Sequence, residues 1–196
     1  MARLKIEKHK TAEIILESAK RNFMQKGFEG TSINDVADDA KINKSLIYHH
    51  FTNKENLWKA VKGRILESAI PDSPQMLDFN QTTLKDFLET FVTFRFQLYA
   101  NHPELVRLMG WQRLESQGES LSGVTIKKFT EIDQKIISLQ KKGQIRKDLK
   151  PEVINYLIMS MASNGFMDKA PFLESKKGKE QYLKVIIETL HKILSP

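Results

Sequence analysis

Lys44, Ser45, Tyr48 and His49 recur at the spacing of one helical face, with Leu46 beside them and Lys41 just ahead. An ammonium, a hydroxyl, a phenol and an imidazole on one exposed face are the groups that bond phosphate oxygens and base edges, and a major groove is wide enough to admit one helix. An exposed Leu46 has no folding reason to stand there, but it can touch a thymine methyl. Lys41 can reach a phosphate. The chemistry is recognition, not catalysis. No nucleophile–base set is legible, and there is neither a Gly-Lys-Ser/Thr phosphate loop nor a Gly-x-Gly-x-x-Gly fingerprint. The histidines are His9, His49, His50, His102 and His191, and the adjacent pair points to different sides of a helix, a poor chelate. With no cysteine in the chain, disulfides and thiolate metal sites are excluded. We therefore expect no enzyme, no cofactor, no catalytic residue and no metal site. An enzyme built on a helical bundle would need converging titratable side chains, of which there is little sign.

These residues need elements to hold them. Ala12, Ile15, Leu16, Ala19 and Phe23 make one apolar face of a first helix over 10–26, which Gly27 stops in a left-handed conformation. Phe28 can fold back onto its last turn. Either hydroxyl of Thr31-Ser32 can cap a second helix, with Asp35 in its first turn. Ile33, Val36, Ala37 and Ala40 follow at helical spacing. Lys41-Ile42 breaks the pattern, and Asn43 caps a third, short helix over 44–50, with Ile47 and Phe51 facing inward. Thr52 and Glu55 are spaced as a capping box for a fourth helix over 54–68. Two short helices joined by a tight turn, the second opening on a polar run, are the layout of a helix-turn-helix.

Composition agrees. The chain has 196 residues, 40% hydrophobic and 28% charged, with a formal net charge of +7. Residues 1–63 hold 12 Lys+Arg against 8 Asp+Glu, and the remainder 19 against 16, so the first third carries more than half of the excess. Such a bias fits an anionic partner. No apolar run approaches the roughly 18 residues of a membrane span, and Met-Ala-Arg-Leu-Lys lacks the apolar core of a signal peptide. A soluble cytoplasmic protein without membrane association is expected.

Pro71–Phe79 is the clearest break in the chain. Beyond it five further helices are predicted, over about 82–101, 104–116, 121–142, 151–166 and 179–194. The expected fold is all-α, about nine helices: an N-terminal three-helix DNA-binding domain (1–55) and a C-terminal helical bundle (56–196). Phe87, Phe91, Phe94 and Phe96 fall within ten residues, and either line an apolar pocket or pack a core. Met109, Trp111, Met159 and Phe166 are the other candidate lining residues. Arg95 interrupts the aromatic helix and either anchors an acidic group or lies at the surface. Tyr182, Val185, Ile186, Thr189, Leu190 and Ile193 form a stripe wide enough to bury on a partner, and small Ser160, Ala162, Ser163 and Gly165 let another helix approach.

Thr31-Ser32-Ile33-Asn34-Asp35-Val36-Ala37, then Ile42 to Phe51, then Asn53-Lys54-Glu55-Asn56-Leu57 resembles the DNA-binding domain of the TetR/AcrR family, and Gly143 to Pro151 resembles that family's loop before the penultimate helix. The close match covers about the first 60 residues and that loop. Two positions depart from the pattern: Lys41 stands where the family usually has glycine, and His50 where it often has tyrosine. The resemblance implies a ligand-responsive homodimeric regulator, in most cases a repressor. Its partners would be a roughly palindromic double-stranded DNA operator and a small, largely apolar effector held in the C-terminal bundle. It implies phosphate contacts at Thr31, Ser32, Lys54, Tyr48 and His50, leaving Lys44, Ser45, Leu46 and His49 to read bases. Arg3, Lys5, Lys8 and Lys10 become either an arm touching DNA or a solubilising tail. The last two long helices would pack with their mates across a two-fold axis. Effector identity, operator sequence and regulated genes are not legible.

Overall fold

The computed structural model describes residues 2–69, 83–115 and 124–196, with side chains from His9 onward except those of 115 and 124–131. The Pro71–Phe79 and Gly118 breaks lie outside the described residues, as do the side chains of Arg3, Lys5 and Lys8. Among the described residues there is no strand. The helices are α1 (Ala2–Lys26), α2 (Ile33–Ala40), α3 (Lys44–Phe51), α4 (Lys54–Ala69), α5 (Leu84–Asn101), α6 (Pro103–Glu115), α7 (Val124–Lys141), α8 (Pro151–Met167) and α9 (Lys176–Leu194), with a 3₁₀ turn at Pro171–Glu174. None is long and apolar enough to cross a membrane. Helix α1 starts about eight residues earlier than its apolar face predicts. Residues 2–10 contain neither glycine nor proline and are mostly good helix formers, so the helix runs through them.

The chain divides into two compact units, Met1–Ser68 with Arg107–Ser122, and Ala69–Val106 with Gly123–Pro196. In the first, Ile15, Ala19 and Phe23 of α1 are fully buried, with Val36, Ile47, Leu57, Val61 and Ile65 from the next three helices. Polar ties fix the angles between them. The buried Ser18 hydroxyl donates to Val36 O at 2.9 Å, joining α1 to α2. Arg64 clamps both carboxylate oxygens of Glu13 at 2.9 and 2.5 Å, joining α4 to α1. Trp111 Nε1 donates to Met24 O at 3.2 Å, so α6 satisfies a carbonyl near the open end of α1. Met109 and Trp111 therefore belong to the first unit, not to the unit that holds the other candidate lining residues.

In the second unit α5 packs on α8 and α9, and α7 on α8. Leu88, Phe91, Val92, Ile136, Leu139, Ile154, Ile158, Ile186, Leu190 and Leu194 form its buried centre. Phe87 and Phe91 stack at 5.6 Å and are fully buried, whereas Phe94 is half-buried and Met159 and Phe166 lie partly buried against the core. The Gly143–Lys150 loop clasps the end of α9. Gly143 is left-handed (φ 69°), Ile145 is buried, and Arg146 N–H donates to Leu194 O at 2.9 Å. Gln140 Nε2 donates to Arg146 O and Leu149 O at 2.9 and 2.8 Å.

The apolar stripe of α9 splits between two faces: Ile186 and Leu190 are buried within the chain, while Val185 and Ile193 are exposed. Of the small residues of α8, Ser160 is half-buried and the other three pack within the chain. Ala162, Ser163 and Gly165 are buried, and a Cβ on Gly165 would come within 2.8 Å of Leu173 Cδ1 and 3.3 Å of Tyr182. The close approach they permit is intramolecular. The large apolar side chains that α8 leaves exposed are Val153 and Tyr156.

Candidate nucleic-acid interface

Ser32 is the N-cap of α2. Its hydroxyl accepts from Asp35 N–H at 3.1 Å, while the Asp35 carboxylate takes the Ser32 N–H at 2.8 Å and the Ser32 hydroxyl hydrogen. This reciprocal box closes two donors that a helix start leaves open. Thr31 does something else. It is buried, and its hydroxyl donates to Gly27 O at 2.8 Å, tying the end of α1 to the start of α2. Its position supports the interface without presenting a side chain to it. Lys26 Nζ lies 2.8 Å from Asp35, and with the Ser32 bonds it holds that carboxyl far below the usual carboxylate range.

Helix α2 ends at Lys41, which is left-handed (φ 54°, ψ 44°) as the missing turn glycine requires. Lys41 N–H donates to Asp38 O at 3.2 Å and Ile42 N–H to Ala37 O at 3.0 Å, the pair of bonds that folds a chain sharply away from a helix end. Asn43 then caps α3, accepting from Ser45 N–H and from the Ser45 hydroxyl, both at 2.9 Å. Ile47 is the single buried residue of α3. Lys44, Ser45, Leu46, Tyr48 and His49 are exposed, and His50 is half-buried. The His49 and His50 ring centroids lie 5.4 Å apart, edge to face, with His49 more exposed than His50. Among the described residues no group of three or more potential ligands is placed to hold a metal.

The expected Thr52–Glu55 capping box does not form. Thr52 ends α3 with φ 62°, donating its N–H to Tyr48 O at 2.9 Å, and Asn53 Oδ1 accepts from Asn56 N–H at 2.8 Å in its stead. A two-residue link thus sets the start of α4 beside α3. Lys54 Nζ sits 4.3 Å over the Phe28 ring, which in turn packs on Phe23 and Trp58.

A concavity of about 410 Å³ brings together the starts of three helices: Thr31, Ser32 and Asn34 from α2 and its approach, Lys44 and Tyr48 from α3, and Lys54 from α4. One acid, Glu29, lines the concavity with these residues; of the acids nearby, Asp35 is paired with Lys26 at 2.8 Å and Asp39 with Arg21 at 2.7 Å. Lys41, Lys44 and Lys54 have no carboxylate partner among the described residues. The arrangement is cationic, rich in donors and open, and it suits a phosphate flanking a base-reading helix. Asn34 was not singled out from sequence; its signal was an exposed amide in the first turn, two residues after the cap. Lys41, Ser45, Leu46 and His49 lie outside the concavity, and of these Ser45 bonds Asn43.

Residues 15–61 match the family described as bacterial regulatory proteins, tetR family, and residues 88–188, more than half of the chain, match the tetracyclin repressor-like C-terminal domain. An HTH-type transcriptional repressor of Streptomyces coelicolor is 33% identical over 104 residues, 52% of this chain and 48% of that protein, so the alignment spans about half of that relative. The HTH-type transcriptional repressor BepR of Brucella suis is 24% identical over 194 residues, 91% of this chain and 88% of that one. The crystal structure of AibR in complex with isovaleryl coenzyme A and operator DNA has the same fold, with a TM-score of 0.71 at 20% identity, covering 92% of this chain and 98% of that one.

Two expectations test the local geometry. Lys41→Gly relieves a left-handed lysine and should raise unfolding stability by about 1 kcal/mol in urea titration. Because Asp35 titrates lower folded than unfolded, its contribution is complete above the ordinary carboxylate pKa, about 4, and is lost as pH falls below it. Asp35→Asn should therefore lower Tm at neutral pH and flatten the acid limb of a Tm-versus-pH curve.

Proposed function

We propose that this chain, which belongs to the TetR family of bacterial regulatory proteins, is a homodimeric repressor that reads operator DNA through α3 and releases it when a small molecule binds the C-terminal bundle. The observation that carries the reading is the exposed polar face of α3 with the cationic concavity at its N-terminal end. Lys44, Leu46 and His49 read bases, and Ser45 does so once its hydroxyl turns from Asn43. Ser32, Tyr48 and Lys54 hold phosphates, with Lys41 and His50 at the margins. Residues 1–55 do the DNA reading, and 56–196 hold the effector and the dimer contact. The protein acts in the cytoplasm.

Two relatives are named as repressors, and a protein of the same fold has been crystallised with operator DNA and an acyl-coenzyme A. A two-fold dimer sets its recognition helices about 34–36 Å apart, one turn of DNA, which calls for a roughly palindromic site. Val153 and Tyr156 of α8 with Val185 and Ile193 of α9 supply an apolar surface for the mate. Regulation is linkage: an effector that prefers a dimer with misplaced recognition helices lowers DNA affinity by the ratio of its affinities for the two states.

Binding-site selection on random duplexes should return an inverted repeat. Lys54→Ala should then weaken binding to all sequences alike and reduce the slope of log K against log salt by about 1. Leu46→Ala should instead cost roughly 1–3 kcal/mol at a single base pair per half-site and leave the salt slope alone. An unchanged affinity and slope for Lys54→Ala would remove the phosphate assignment. Val185→Glu should halve the molar mass measured by light scattering; a dimer that persists unchanged would move the interface elsewhere.

A further inference from the structure

Most arginines of the described structure are either matched or solvated. Arg21 holds Asp39, Arg64 holds Glu13 and Arg146 holds Asp148, while Arg107 and Arg113 are exposed. Arg95, in the middle of α5, is neither. It is half-buried, and among the described residues it has no carboxylate partner and its fully buried Nε has no hydrogen-bond partner. Among the described residues its hydrogen bond runs from Nη2 to the Tyr99 hydroxyl at 2.6 Å, and its Cζ lies 5.2 Å from the centroid of the Tyr99 ring. Leaving a buried donor of a charged group unpaired costs more than leaving a neutral one, so native structures rarely keep such a group without a use.

The unpaired atom has a definite geometry. Nε and Nη2 form one edge of the guanidinium, and elsewhere in this chain Arg146 uses that edge to grip both oxygens of Asp148, at 2.7 and 2.6 Å. On Arg95 the same edge carries a vacant Nε–H beside an Nη2–H bound only to a phenol. Tyr99 is 2% exposed. Its oxygen accepts from Arg95, and among the described residues no acceptor takes its hydrogen. A carboxylate brought to this edge would receive the Nε–H with one oxygen and the Tyr99 O–H with the other, satisfying both groups at once. The surroundings are apolar and aromatic. Phe166 lies 6.4 Å from the Tyr99 ring and 4.9 Å from Phe96, and Phe91 is one turn before Arg95.

We infer that the effector is an apolar monocarboxylate, its acid group held by Arg95 and Tyr99 and its hydrocarbon body among the aromatic side chains of α5 and α8. One guanidinium and one phenol match a single planar carboxylate, whereas a phosphate dianion would call for more cations than this edge offers. The inference rests on the reading that the second unit takes a small effector.

Straight-chain fatty acids of six to twelve carbons and the alcohols of the same lengths separate the two ideas on the full, unmodified chain. Calorimetry should show an acid of the best length binding at least tenfold tighter than its alcohol. Arg95→Met should remove that difference by weakening the acid and sparing the alcohol, and Tyr99→Phe should remove part of it, with far-ultraviolet circular dichroism unchanged in both. Acid and alcohol binding equally well to the unmodified chain would overturn the carboxylate anchor while leaving an effector site in place. Binding of neither series at any length would overturn the apolar-effector reading with it.

Discussion

A helix that must enter a groove can keep very little of its surface for its own protein. Helix α3 is tethered through Ile47 alone among its fully buried side chains, so packing cannot define its orientation. The turns on either side do that. Both are made by residues with side chains in left-handed backbone, Lys41 at φ 54° and Thr52 at φ 62°. Each conformation is unfavourable in itself and survives because the hydrogen bonds around it over-determine it. Lys41 sits inside the paired bonds that end α2, and Thr52 inside the bond to Tyr48 O and the Asn53 cap that starts α4. The strain fixes where α3 begins and ends to within a residue, which is what a reading helix requires.

The frame behind α3 is built to resist the same freedom. Helix α1 is held to α2 by a buried hydroxyl, to α4 by a two-pronged arginine–carboxylate bridge and to α6 by an indole N–H. Exposed ion pairs contribute little stability each, but these ties are directional and set the relative rotation of helices whose apolar contacts alone would allow several registers. The second unit uses the same device, where Gln140 fastens the loop before α8 to the end of α7 and Arg146 fastens it to the last turn of α9.

Much of the first unit was legible in the sequence because its signals are local. Gly27, Ser32 with Asp35, and Asn43 each announce a helix end within four residues, and all three act as read. The exposed Leu46 was legible for a related reason: it breaks the apolar period of its own helix. What failed to show depended on partners distant in the chain. Thr31 reads as a second capping hydroxyl, yet the carbonyl of Gly27 claims it. Thr52 and Glu55 have capping-box spacing, but the left-handed link moves the cap to Asn53. Gly165 of α8 faces Leu173 and Tyr182 of its own chain, and nothing in residue size distinguishes an internal neighbour from an external one. Trp111 reads as a pocket residue because it is aromatic, and only the fold reveals the α1 carbonyl it serves.

That placement of Trp111 has a spectroscopic consequence. The chain has two tryptophans, and both lie in the first unit: Trp58 against Phe23 and Phe28, with Lys62 Nζ 5.6 Å over its ring, and Trp111 with its N–H on Met24 O. The second unit has none. Tryptophan emission thus reports on the surroundings of residues in the first unit. A molecule that settles in the second unit and dims or shifts that emission has changed the surroundings of Trp58 or Trp111. Native fluorescence, without any label, separates mere occupancy from the arrival of its effect in the unit that contains α3.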